Sequence, residues 1–137
     1  MEAFGAPGIP PTWSAGDKDV VGTSLGSSRV WFTVGGGIVN EVFWPNTGRP
    51  QLRDLGFLVT GDGFWAEVKR EARYTVSQPS PTIPLPTVTH EHERFTLTLS
   101  VVTDTRRDVV LIRYDLQERS TEEIGRASCR ERVLVAV

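Results

Sequence analysis

The sequence predicts an all-β protein, a sandwich of antiparallel sheets, and three observations predict it. Phe95, Leu97, Leu99 and Val101 alternate with Thr96, Thr98 and Ser100, the period of two that turns one face of a strand into a core. Seven further stretches carry looser versions of the same pattern, and clusters of Gly, Pro, Asn and Asp separate them as turns. No window of helical length places apolar residues at i, i+3, i+4 and i+7. The 137 residues suffice for one ordinary domain with its own core.

In chain order, "SRVWFTV" (28–34) and "GIVNEVFW" (37–44) flank three glycines at 35–37. These precede a strand and lack the Gly-Lys-Ser/Thr of a phosphate loop, so they form a turn. "LRDLGFLVT" (52–60) follows the breaker "PNTGRP", and "GFWAEVKRE" (63–71) is the return arm of a hairpin. Its Asp62-Gly63 pair supplies the positive φ angles of a tight primed turn. "RYTVS" (73–77) leads into "QPSPTIPLP" (78–86), whose four prolines favour extended backbone and donate nothing to a ladder. Strand patterns continue directly beyond it, which makes it a surface connection within one sandwich and not a linker between domains. "VTHEHE" (88–93) is expected as a polar, solvent-facing strand. The regular strand 95–101, the turn "TDTRRD" and "DVVLIRYDL" (108–116) complete the pattern.

Composition and missing motifs exclude several functions. Fifteen basic and seventeen acidic residues give a net charge of −2, with no basic run to track a nucleic-acid backbone. The longest apolar runs, such as Val109 to Ile112, are too short to span a membrane as a helix. "MEAFGAPGIPPTW" has neither the basic region nor the apolar stretch of a secretory signal, so the cytoplasm is expected in preference to export. The single cysteine, Cys129, forms no internal disulfide and no zinc pair. His90 and His92 share a strand face but lack a third ligand at a recognisable spacing, so no metal is expected. Neither a Gly-x-Ser-x-Gly elbow nor a local pair of carboxylates is present, and no cofactor is implied. Trp31 and Trp65 lie in strands with apolar residues on both faces and are expected as core fillers. Trp44 ends its strand before Pro45, an edge position from which an indole can stack on a sugar.

Four segments in order, "EAFGAPGIPPTW", "KDVVGTSLGSSRVWFTVGGGIVNEVFWP", "RPQLRDLGFLVTGDGFWAEVKRE" and "RRDVVLIRY", resemble the N-terminal domain of bacterial glucoamylases and glucodextranases of glycoside hydrolase family 15. The resemblance extends from about Ala3 to Leu116. It implies a supersandwich of the galactose-mutarotase-like kind, which in the parent enzymes precedes an (α/α)6 barrel. That barrel carries a general acid and a general base, both glutamates, and releases glucose from α-glucans with inversion. None of those catalytic residues is in this chain, so the resemblance makes it part of a hydrolase without making it a catalyst. It further implies that the partner is the chain's own catalytic barrel, and that α-glucan is met through the parent enzyme. Within "NEVFWP" and "LRDLGF", the residues Asn40, Glu41, Trp44, Arg53 and Asp54 carry more polar and aromatic chemistry than a core strand requires. They are the candidates for docking onto the barrel or for contact with sugar. On a regular strand Arg53 and Asp54 point to opposite faces, each to its own partner. The alternative is a self-sufficient carbohydrate-binding or interaction module, gripping glucan through an exposed edge around Trp44.

"EIGRASCRERV" (123–133) breaks the alternating pattern with three arginines and two glutamates. Its codons can be written as the read-through of a common sequencing-library adapter. Residues 1–121 are therefore expected to be a partial N-terminal sandwich domain and 122–137 a non-native, disordered tail. The competing reading is a genuine charged tail with a reactive thiol at Cys129, its pKa lowered by basic neighbours. The family's sandwich is longer than the matching part here, so unpaired sheet edges and aggregation of the isolated chain are also expected.

Overall fold

The computed structural model describes residues 16–23 and 26–119, together with the backbone of 131–136. Two antiparallel sheets and a separate hairpin make up the fold, as the alternation predicts. The first sheet runs β1 (Val20–Thr23), β2 (Trp31–Gly35), β3 (Ile38–Phe43), β4 (Pro50–Leu55) in sequential order. β5 (Leu58–Gly61) and β6 (Phe64–Glu67) pair only with each other. The second sheet has the order β11-β10-β9-β8-β7, built from β7 (Arg73–Ser77), β8 (Thr87–Glu91), β9 (Phe95–Thr103), β10 (Val110–Glu118) and β11 (Glu131–Ala136).

One core joins these layers. Phe32 and Val34 of β2 and Val39 and Val42 of β3 meet Leu97, Leu99 and Val101 of β9 and Ile112 of β10, with Val59 and Ala66 contributed by the hairpin. β9 buries alternate residues from Phe95 to Thr103, the pattern its sequence predicts. Gly36 and Gly37, with φ of 62° and 78°, close the two-residue turn between Gly35 and Ile38, a primed geometry that glycine reaches without strain. The proline-rich 78–86 connects β7 and β8 within one sheet.

Five expectations are modified. The stretch 52–60 divides into β4 and β5, because Asp54 takes a positive φ of 52° and the Gly56 N–H folds back to the Asp54 carbonyl at 3.0 Å. The stretch 63–71 ends in a single helical turn, α1 (Val68–Glu71), where the Glu71 carboxylate reaches back to accept the Glu67 N–H at 2.8 Å. At Asp62-Gly63 only Gly63 has a positive φ, so that turn is not of the doubly left-handed kind. The strand of 88–93 is not solvent-facing throughout: His90 is completely buried, because it alternates inward with Val88. Finally, part of the segment expected to be disordered is paired, the backbone of Glu131–Ala136 lying antiparallel to β10 with Leu111 opposite Ala136. An apolar "VLVA" run supplies the β propensity for that edge.

Candidate functional site

Three of the sequence-selected residues, Asn40, Glu41 and Asp54, come together around a fold irregularity. Along β2 and β3 the register passes from Thr33 opposite Glu41 to Val34 opposite Val39, which leaves Asn40 as the extra residue of a β-bulge. On the other side Val39 pairs with Leu55 and Glu41 with Arg53, so Asn40 stands beside Asp54. The bulge re-aims a buried amide, and the left-handed backbone at Asp54 re-aims a carboxylate towards it. With the Asn40 amide oriented to suit its neighbours, Nδ2 donates to Asp54 Oδ1 at 3.0 Å and Oδ1 accepts from Lys18 Nζ at 2.9 Å. Lys18 Nζ also lies 3.2 Å from Glu41 Oε2, which accepts from Thr33 Oγ1 at 3.1 Å. Lys69 Nζ of α1 closes the far end on Asp54 Oδ1 at 3.4 Å.

The cluster therefore runs Thr33, Glu41, Lys18, Asn40, Asp54, Lys69, with two acids balanced by two lysines. Thr33 and Asn40 are buried and Lys18 and Glu41 partly so, whereas Asp54 and Lys69 remain over a third exposed. Interleaved donors and acceptors of zero summed charge suit hydroxyls, or the polar side chains of an adjoining domain, better than an ion. Lys18, Thr33 and Lys69 were not legible as site residues, since they come from three separate segments that only the bulge brings together. Replacing Asn40 with leucine removes the central link and leaves Asp54 and Lys18 each one bond short. A loss of about 1–2 kcal/mol is expected in urea denaturation, discounted for the partial exposure of Asp54.

Trp44 lies apart from this cluster, beyond the other end of β3. Its Nε1 donates to Asp108 Oδ2 at 2.7 Å, and the Arg29 guanidinium sits 5.1 Å from the ring centroid. Asp108 Oδ1 accepts the Arg29 backbone N–H at 2.6 Å. Ser27 adds bonds to the carbonyls of Thr105 and Arg106, so residues 27–29 clasp the β9–β10 loop. The Arg29 N–H, then the Trp44 N–H, hold the Asp108 carboxyl below the usual carboxylate range. The N–H groups of Arg106 and Arg107 do the same for Asp104. Trp44 thus has its polar edge and one ring face committed within the fold, and Arg53 stands in register with Glu41.

Among the described residues the most exposed aromatic ring is Trp65. It was expected in the core, yet it is 67% exposed, with Leu58 at 69%. The reason is register: Val59 and Ala66 pair on the inner face of the hairpin, and Thr60 and Trp65 pair on the outer one. Trp31, by contrast, is half-buried. The two histidines do not converge, because His90 is enclosed while His92, beyond the end of β8, stacks on Phe95 with ring centroids 4.6 Å apart.

Known proteins share this arrangement of strands. The profile of the family described as glucodextranase, domain N, matches residues 3–126. A glucoamylase of Clostridium sp. (strain G0005) is 28% identical over 120 residues, which cover 82% of this chain and 17% of that protein. The crystal structure of a bacterial glucoamylase complexed with acarbose superposes with a TM-score of 0.79 at 24% identity, covering 90% of this chain and 19% of that one. The chain thus spans less than a fifth of the length of either relative.

Proposed function

Because the chain belongs to the glucodextranase domain N family, we propose that it serves as the non-catalytic N-terminal sandwich of a glucoamylase-type glycoside hydrolase. In this role it packs on and completes a catalytic (α/α)6 barrel, and α-glucan is the substrate of the whole enzyme. The observation that carries the reading is the family match, continuous from residue 3 to residue 126. Two surfaces support it. Leu58 and Trp65 present apolar area that a covering domain would remove from water. Asp54 and Lys69 offer a balanced polar contact at the outer end of the bulge cluster.

Long-read sequencing of the source locus across codon 120 tests this. The expected result is a frame that continues into further strands and a helical barrel, whose product releases glucose from an α-glucan while the 137-residue chain does not. A locus that encodes "EIGRASCRERV" and stops soon afterwards would overturn it.

A further inference from the structure

His90 is the one described residue whose buried side-chain nitrogens both lack a hydrogen-bond partner. The ring is wedged between the two sheets. A Cβ on Gly37 would fall 2.8 Å from His90 Cε1, so the β2–β3 turn rests directly on the imidazole. Tyr74 of edge strand β7 is its cross-strand neighbour, with ring centroids 6.3 Å apart. On the β9 side it faces Leu97, which carries no charge. The same turn abuts the bulge cluster: a Cβ on Gly35 would come within 3.0 Å of the Asn40 side-chain amide, and Lys69 Cε lies 4.0 Å from the Cβ position of Gly36.

We propose that His90 is a proton-operated latch. Neutral, it lets the Gly36–Gly37 turn and strand β7 close over it; protonated, it releases both and loosens the Asn40–Asp54–Lys69 cluster that the turn supports. An imidazolium enclosed with no acceptor beyond the Gly37 backbone is costly, and the cheapest relief is to admit water by moving the turn and the edge strand. The side chains around the ring do not offset the charge. Tyr74 brings a neutral phenol from β7 and Leu97 nothing polar from β9. Lys69 of α1, beside Gly36, is itself cationic, and Asp54 of β4 is engaged by Lys69 and Asn40. On β8 itself the adjacent Glu91 is exposed on the opposite face.

Burial holds the imidazole pKa below its ordinary 6.5, with the Gly37 backbone opposing in part. An unfolded or opened chain takes up the proton below about pH 6.5, and the closed state does not. The open state therefore binds more protons in that window. Closure is complete above it and weakens as pH falls through it, until the lowered pKa of the closed state is passed.

The test uses the full chain and two nuclear magnetic resonance readouts between about pH 7.5 and 5. The first is the titration of the His90 ring nitrogens, followed together with the Gly37 amide shift. The second is amide exchange at residues 36–39 and 74–76, corrected for the intrinsic pH dependence of exchange. Protection is expected to fall below about pH 6.5, approaching tenfold per pH unit, with the Gly37 amide tracking the ring. In His90→Leu the pH dependence should vanish. An unchanged slope in that variant, or flat protection in the wild type, would overturn the latch. Should His90→Leu not fold, His90→Gln and the wild-type titration decide: a ring titrating at the ordinary 6.5, or a Gly37 amide moving at a different midpoint, refutes it.

Discussion

Truncating Phe32 to alanine is expected to destabilise the sandwich by about 3–5 kcal/mol, a large fraction of what a domain of this size possesses. The ring is completely enclosed and belongs to the cluster that joins the two sheets. It also covers Gly22, its partner across the β1–β2 ladder, where an added Cβ would collide with the ring itself. Alanine would therefore leave a cavity between the sheets and uncover the backbone of edge strand β1. Phe32→Leu, which refills most of the volume, should lose on the order of 1 kcal/mol. Urea midpoints at unchanged slope give both values. If Phe32→Ala shifts the midpoint no more than Phe32→Leu, the ring is not where the packing places it.

The second large effect is expected at Gly37. A side chain there meets two obstacles: the left-handed φ of 78°, and rigid rings, with His90 Cε1 and Tyr74 Cγ each 2.8 Å from the Cβ position. Gly37→Ala should lose about 2–4 kcal/mol, the sum of backbone strain and overpacking. Gly36→Ala is the control. Its φ of 62° imposes similar strain, but its Cβ would meet only Lys69 Cε at 4.0 Å. A loss of about 1–2 kcal/mol is expected for it. Equal losses for the two variants would show that the turn does not press on His90.

The parts of the fold that could be read from the sequence are those in which one residue type has one structural use. Strict alternation in β9 and the paired glycines at 36–37 are of this kind. Trp65 and His90 are not, since Trp65 is an apolar residue on the solvent face of its strand and His90 a polar one on the core face with Val88. Which face turns inward is decided by register, and a slip of one residue reverses it. The selected segment around Asn40 and Asp54 does gather into a cluster, but its shape depends on a bulge and a left-handed aspartate that no periodicity announces. Lys18 and Lys69, which complete it, look in the sequence like ordinary surface lysines. Trp44 drew notice for its place at a strand end, and Asp108, which engages its N–H, lies 64 positions away.

That separation carries a kinetic consequence. The clasp of residues 27–29 on the β9–β10 loop joins backbone positions 79 apart, so its closure entropy must be met before any of its bonds forms. The hairpins, whose partners are neighbours in sequence, can form without waiting for it. A contact of this kind is expected to form after the rate-limiting step of folding, with a φ-value near zero at Asp108. Weakening it at Asp108 would then leave the folding rate almost unchanged and quicken unfolding, so the clasp governs how long the folded chain lasts and has little influence on how quickly it is reached.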